Sequence, residues 1–343
     1  MRDVEGGEGA RSLFELHEGH SRREFLASIG LAAAAAAAAP VLLDAAAAEA
    51  QESLRSPFGP DDERGAANRI TPTKVLEAVG LVKQGKVLEF GRTYEKGMPI
   101  FGNRTYALHS PSPAGPLGDN KLVYNDDILF TQISQVGTQF DGLAHIGIGD
   151  RFYNGITLSD MWDPNGAGGS DGFRRLGVHN VGPIVTRGLL LDVAAAKGMK
   201  MLPPKYEISV ADLEATLQKA KLQITPGDVV YIHTGWGSLW MKDNAAFTAG
   251  EPGIGMDAAK WFVSQQIVMC GADQWGIEVV PNPNPKLVFP VHQEFITRNG
   301  IYNHENCATE VLIANDVREF LLMFVPLKLK GATGSPGAPI AIV

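Results

Sequence analysis

Cysteine is nearly absent from this chain: Cys270 and Cys307 are the only two among 343 residues. Two thiols in so long a chain do not make a disulfide framework, and no bridge between them is expected. Cys270 lies in the apolar run Ile267-Val-Met-Cys-Gly-Ala272 and reads as core, whereas Cys307, two residues after Glu305, falls near the site developed below. Also missing are a basic run and any interleaving of basic with aromatic residues. The formal charge is −8, which excludes nucleic acid as the expected partner. Glycine-rich phosphate loops and a His-Glu-x2-His helix are absent. Gly334-Ser-Pro-Gly337 lacks the first glycine of a nucleophile elbow, so serine hydrolase chemistry is not expected.

Only one long apolar run exists, and it is N-terminal. Ser21-Arg-Arg-Glu-Phe-Leu26 is a twin-arginine sequence, followed by the alanine-rich stretch Ala27 to Leu43 and the small-residue site Ala48-Glu-Ala50. The stretch is weakly apolar, interrupted by Gly30 and Pro40, and at or below bilayer-spanning length. A bacterial export signal over residues 1–50 is expected, read by the twin-arginine machinery and cleaved near Ala50. The protein is then periplasmic or secreted, with no stable membrane anchor after cleavage. The remainder carries 26 Lys/Arg against 30 Asp/Glu, a charge of −4. Residues 51–343 can bury a large core, and one domain is preferred because the candidate site residues come from both ends of the chain.

What is present is a cluster of metal-capable side chains. Gln135, Gln139, Asp141 and His145 fall within Gln135-Val-Gly-Thr-Gln-Phe-Asp-Gly-Leu-Ala-His145, all at odd positions. In an extended chain they would share one face. Fully extended, 135 to 141 would span about 20 Å, too wide for one ion. The chain must therefore bend, and Gly137 and Gly142 are the residues that bend it cheaply. A strand-turn-strand corner is expected. An isolated Gln-x3-Gln would more often be a polar turn bonded to its own backbone.

This stretch resembles the metal-dependent hydrolases of the cyclase family, which includes bacterial kynurenine formamidases and carries His-x-Gly-Thr-His-x-Asp-x-Pro-x-His. Gly137, Thr138, Asp141 and His145 match; Gln135 and Gln139 replace histidines and Leu143 replaces proline. Further matches are Phe58-Gly-Pro-Asp-Asp-Glu63 with Gly65-Ala-Ala-Asn68, Arg187-Gly-Leu-Leu-Leu-Asp192, and Gly227-Asp-Val-Val-Tyr-Ile-His-Thr-Gly-Trp236. The glutamine pattern is similar to that of the trans-dienelactone hydrolase branch, whose members open an unsaturated lactone. The resemblance implies metal ligands Gln135, Gln139, Asp141, His292 and Glu305, with His145 outside that set as the proton carrier. Two carboxylates, two amide oxygens and one imidazole make a hard site suited to Zn²⁺ or Mn²⁺.

The expected activity is opening of a small cyclic ester, or a related amide, by metal-activated water. The alternatives are an arylformamidase acting on an N-formyl-kynurenine-type amide, and a metal-free secreted binding protein on the same fold. An anionic substrate would want a cation, which Arg104, Arg151 or Arg187 can supply. His109, His179 and His233 are read as structural. His304, beside Glu305, should point away from the metal if both lie on a strand.

Apolar spacing predicts helices over Thr73 to Val82, Val210 to Ala220, Met256 to Val263 and Thr309 to Ala314. It predicts strands over Ile128 to Ile133, Ile184 to Val193, Val229 to Thr234 and Phe320 to Leu327. Loops are expected at Pro111 to Gly118, Gly166 to Gly172 and Pro281 to Pro285. The class is α/β, and the resemblance implies a swivelling β/β/α domain with a mixed sheet and flanking helices. The tail Gly331 to Pro339 reads as an extended arm able to cross to a partner subunit in a homo-oligomer.

Overall fold

The computed structural model describes residues 54–162 and 172–343. The expected export signal, and the Gly166 to Gly172 loop except for Gly172, lie outside the described residues. No helix among those described is long and apolar enough to cross a membrane.

A nine-stranded mixed sheet organises the chain. Its strands are β1 (Val87–Glu89), β2 (Gln139–Asp141), β3 (Ile184–Asp192), β4 (Val229–His233), β5 (Met269–Ala272), β6 (Tyr302–Glu305), β7 (Glu319–Phe324), β8 (Gly334–Pro336) and β9 (Ile340–Ile342). They are ordered β1-β9-β7-β3-β4-β5-β6-β2-β8. The centre, β3 to β6, is parallel, and the flanking pairs are antiparallel. Parallel strands buried on both faces read as continuous apolar runs, as Val229–His233 and Met269–Ala272 do.

The two-residue period of a strand divides the core in two. Val229, Tyr231 and Met269 pack on one face with Phe140, Tyr302, Phe320 and Leu322. Val230, Ile232 and Cys270 pack on the other with Leu213, Leu217 and Phe262, which belong to α2 (Val210–Ala220) and α3 (Met256–Ser264). α1 (Pro72–Val79) starts where Thr71 caps Lys74 N and Pro72 supplies a preset φ. α2 starts on a capping box in which Ser209 and Asp212 satisfy each other's backbone N–H.

Two expectations need correction. The tail is not a free arm: β8 pairs with β2, and β9 lies between β1 and β7, so backbone hydrogen bonds hold the tail in its own sheet. The stretch Pro111 to Gly118 is not all loop either, because Ala114–Leu117 pairs with Leu122–Tyr124. Ile128–Thr131 is a strand as expected, but it pairs with Tyr106–His109 outside the main sheet. These two ladders form one hairpin arm over residues 106–131.

Candidate metal centre

Register and parity assemble the site. β2 runs antiparallel to β6 with Gln139 opposite Glu305, Phe140 opposite His304 and Asp141 opposite Asn303. Gln139, Asp141 and Glu305 therefore share one face, while Phe140 and His304 take the other. The bend expected before β2 is made by Gln135 and Gly137, both with left-handed backbone at φ 62°. A Cβ on Gly137 would lie 2.2 Å from the Tyr94 ring, so only glycine fits. The neighbouring Thr138 hydroxyl donates to Asn306 O at 2.7 Å and accepts from Arg92 N at 2.7 Å. This clamp fixes the bend against the end of β6.

His292 arrives from a different segment. Phe289, at φ 48°, precedes Pro290–His292, the short helical turn that carries the imidazole. Bulky residues rarely adopt this conformation, and such strain clusters at functional sites. Glu278 accepts from His292 N at 3.0 Å and Val291 N at 3.3 Å, and lies 2.7 Å from His292 Nδ1. The contact fixes the ring so that Nε2 faces Glu305 Oε1 at 3.0 Å and Asp141 Oδ2 at 4.0 Å.

Asp141, His292 and Glu305 bring ligand atoms within 4.8 Å of one another, all buried. Of the two glutamines expected as oxygen ligands, both instead turn nitrogen toward Glu305 Oε2, at 2.7 Å from Gln135 and 2.6 Å from Gln139. Gln139 Oε1 accepts the backbone N–H groups of Gln135 and Val136, so it is not presented to the centre. Gln135 Oε1 is buried without a partner, as is Asp141 Oδ2. His145 stands at the rim, with Nε2 3.7 Å from Asp141 Oδ2 and Nδ1 3.4 Å from Ser134 Oγ. Burial lowers its pKa, against the opposing pull of Asp141.

The electrostatics favour a cation. Glu305 is pushed up to about 7 by burial and by the Asp141 carboxylate. Glu251, a buried acid invisible in the sequence pattern, is pushed well above its ordinary range by burial and by Glu305. Burial works against a charged His292, but Glu278 and Glu305 outweigh it and raise its pKa. Asp141, Glu251, Glu278 and Glu305 crowd one imidazole and resist ionising together, a repulsion that a divalent ion would offset. Orphaned oxygens on Asp141 and Gln135 supply coordinating capacity, so the residues present fit such an ion.

The family model for Cyclase matches residues 88–279. The chain belongs to the cyclase family. A solved structure described as a novel cyclase is 32% identical, with a TM-score of 0.76 over 83% of this chain and 98% of that one. Isatin hydrolase A from Ralstonia solanacearum is 19% identical, with a TM-score of 0.54 over 79% of this chain and 97% of its own. An isatin hydrolase bound to the product analogue thioisatinate is 18% identical, with a TM-score of 0.52 over 80% and 99%. The last two show a shared fold. No curated protein matches the chain.

Other residues of this cyclase-family chain resolve the remaining expectations. His304 does point away from Glu305: it sits among Phe140, Tyr231 and Phe324, with Nδ1 2.9 Å from the Tyr231 hydroxyl. Burial lowers its pKa to about 3. Arg187 is tied to Glu319 and Asp228. Arg151 lies beside Asp150 and donates to Gly155 O. Cys270 and Cys307 are both free and buried. His145 and Ser134 open onto a cleft of about 790 Å³ walled by Ile133, Leu158, Trp162 and Phe173. The three metal-capable residues do not line this cleft; His145 stands between it and them.

Proposed function

We propose that this protein is a divalent-metal-dependent hydrolase that opens a small cyclic ester or a related amide. The observation that carries the reading is the buried group Asp141, His292 and Glu305, with Asp141 Oδ2 left without a hydrogen-bond partner and His145 between the group and an apolar cleft. Asp141, His292 and Glu305, with Gln135 Oε1 in the same bend, would hold a divalent ion, whose chemistry there would be Lewis acidity toward an acyl carbonyl and water.

The chain's own residues do the rest. Glu278 keeps His292 Nδ1 engaged, so Nε2 alone is directed inward. Gln139 donates to Glu305 and holds that carboxylate in place. His145 faces the cleft with one edge and Asp141 with the other, a position suited to taking a proton from the attacking water and returning it to the leaving oxygen or nitrogen.

The preference for a lactone rests on Gln135 and Gln139, which resemble the pattern of the trans-dienelactone hydrolase branch. Isatin is a third compound to test, since two solved neighbours are isatin hydrolases. Metal-loaded protein assayed against unsaturated lactones, aryl formamides and isatin decides among them. Lactone turnover is expected to be fastest. A formamide rate higher by more than about tenfold, or 1.4 kcal/mol in barrier, would reverse the ranking. Protein that takes up no metal when it is supplied, and turns over none of the three, would support a binding role.

A further inference from the structure

Arg104 is on the wall of the cleft that His145 opens onto. Arg104 Nη1 donates to Phe101 O at 2.9 Å, and among the described residues no carboxylate lies within ion-pair distance of it, in contrast to Arg151 and Arg187. The guanidinium is close enough to His145 to work against protonation of that imidazole. The surrounding wall is mostly apolar, with Ile133, Leu158, Trp162 and Phe173 among its residues. A pocket of this size, mostly apolar with few convergent polar groups, fits a small organic ligand. A guanidinium is a planar fork that matches a carboxylate in two parallel hydrogen bonds.

We infer that Arg104 is the anion-recognising residue of the cleft, and that the substrate is a small, largely apolar molecule carrying a carboxylate away from the bond to be broken. This rests on the hydrolase reading above. The test pairs two assays on the metal-loaded protein. In the first, an aryl lactone with a ring carboxylate is compared with its methyl ester in the wild type, Arg104→Met and Arg104→Lys. The wild type should favour the acid in kcat/KM by tenfold or more. That ratio should collapse in Arg104→Met and be partly kept in Arg104→Lys.

An unchanged ratio in Arg104→Met would overturn the inference. In the second assay, benzoate and benzamide are titrated calorimetrically. Benzoate should bind the wild type at least tenfold more tightly than it binds Arg104→Met, whereas equal affinities would overturn the inference. Because this binding needs no turnover, inactivity on both lactones would sink the hydrolase reading alone and leave the titration to decide on Arg104.

Discussion

His304 and Glu305 are consecutive on β6 and equally hidden from solvent, yet the two faces of the sheet treat them in opposite ways. On the His304 side the neighbours are aromatic, the Tyr231 hydroxyl is the imidazole's one hydrogen-bond partner among the described residues, and burial favours the neutral ring. Glu305 meets a second carboxylate, an imidazole and two amides. Burial raises its pKa too, but here like charge adds to the effect. The difference teaches that a buried ionisable residue is weak evidence for an ion site. A surplus of one sign, with oxygens left unbonded, is strong evidence.

The comparison breaks most completely at Asp141. Asp141→Asn removes half of the carboxylate pair, and hydrolysis should fall by more than roughly a thousandfold, since the Lewis acid is lost with its ligand. Steady-state rates on the best substrate, with metal in excess, check this. His145→Ala should come next: a drop of about 10² to 10⁴ in kcat with the ion retained, the usual contribution of a proton carrier. If that variant emerges without metal, His145 belongs among the ligands.

Glu278→Gln sharpens the comparison more gently. The amide keeps the shape but weakens the hold on His292 Nδ1, so metal affinity should drop by about 10- to 100-fold in a competition titration. The smallest effect is expected on the apolar face. His304→Leu leaves the Tyr231 hydroxyl without its partner and should cost about 1 to 3 kcal/mol in denaturant unfolding, with metal stoichiometry unchanged.

Local signals in the sequence account for much of this architecture. Val210–Ala220 reads as a helix because Ser209 and Asp212 cap it and its apolar residues recur at helical spacing. Val229–His233 reads as a buried strand because it is an unbroken apolar run. Parity along a strand also places His304 opposite Glu305 before any coordinates are known. Glu278 and Glu251 were not legible, since neither belongs to a motif and both join the centre only through tertiary packing. The direction of the glutamine amides was equally hidden, because it depends on which backbone N–H groups the bend turns inward. The tail misled for a related reason: Gly331 to Pro339 is rich in turn residues, and the pairing partners, β2 for Gly334–Pro336 and β1 and β7 for the following Ile340–Ile342, are distant in sequence.

The central claim is that the surplus of buried negative charge around His292 is a cation site. Elemental analysis of protein purified without chelator, run beside Asp141→Asn and Glu305→Gln, tests it most directly. The account predicts close to one divalent ion per wild-type chain and strong depletion in both variants. Wild-type protein that hydrolyses its substrate with no stoichiometric metal, or variants that keep a full complement, would contradict it.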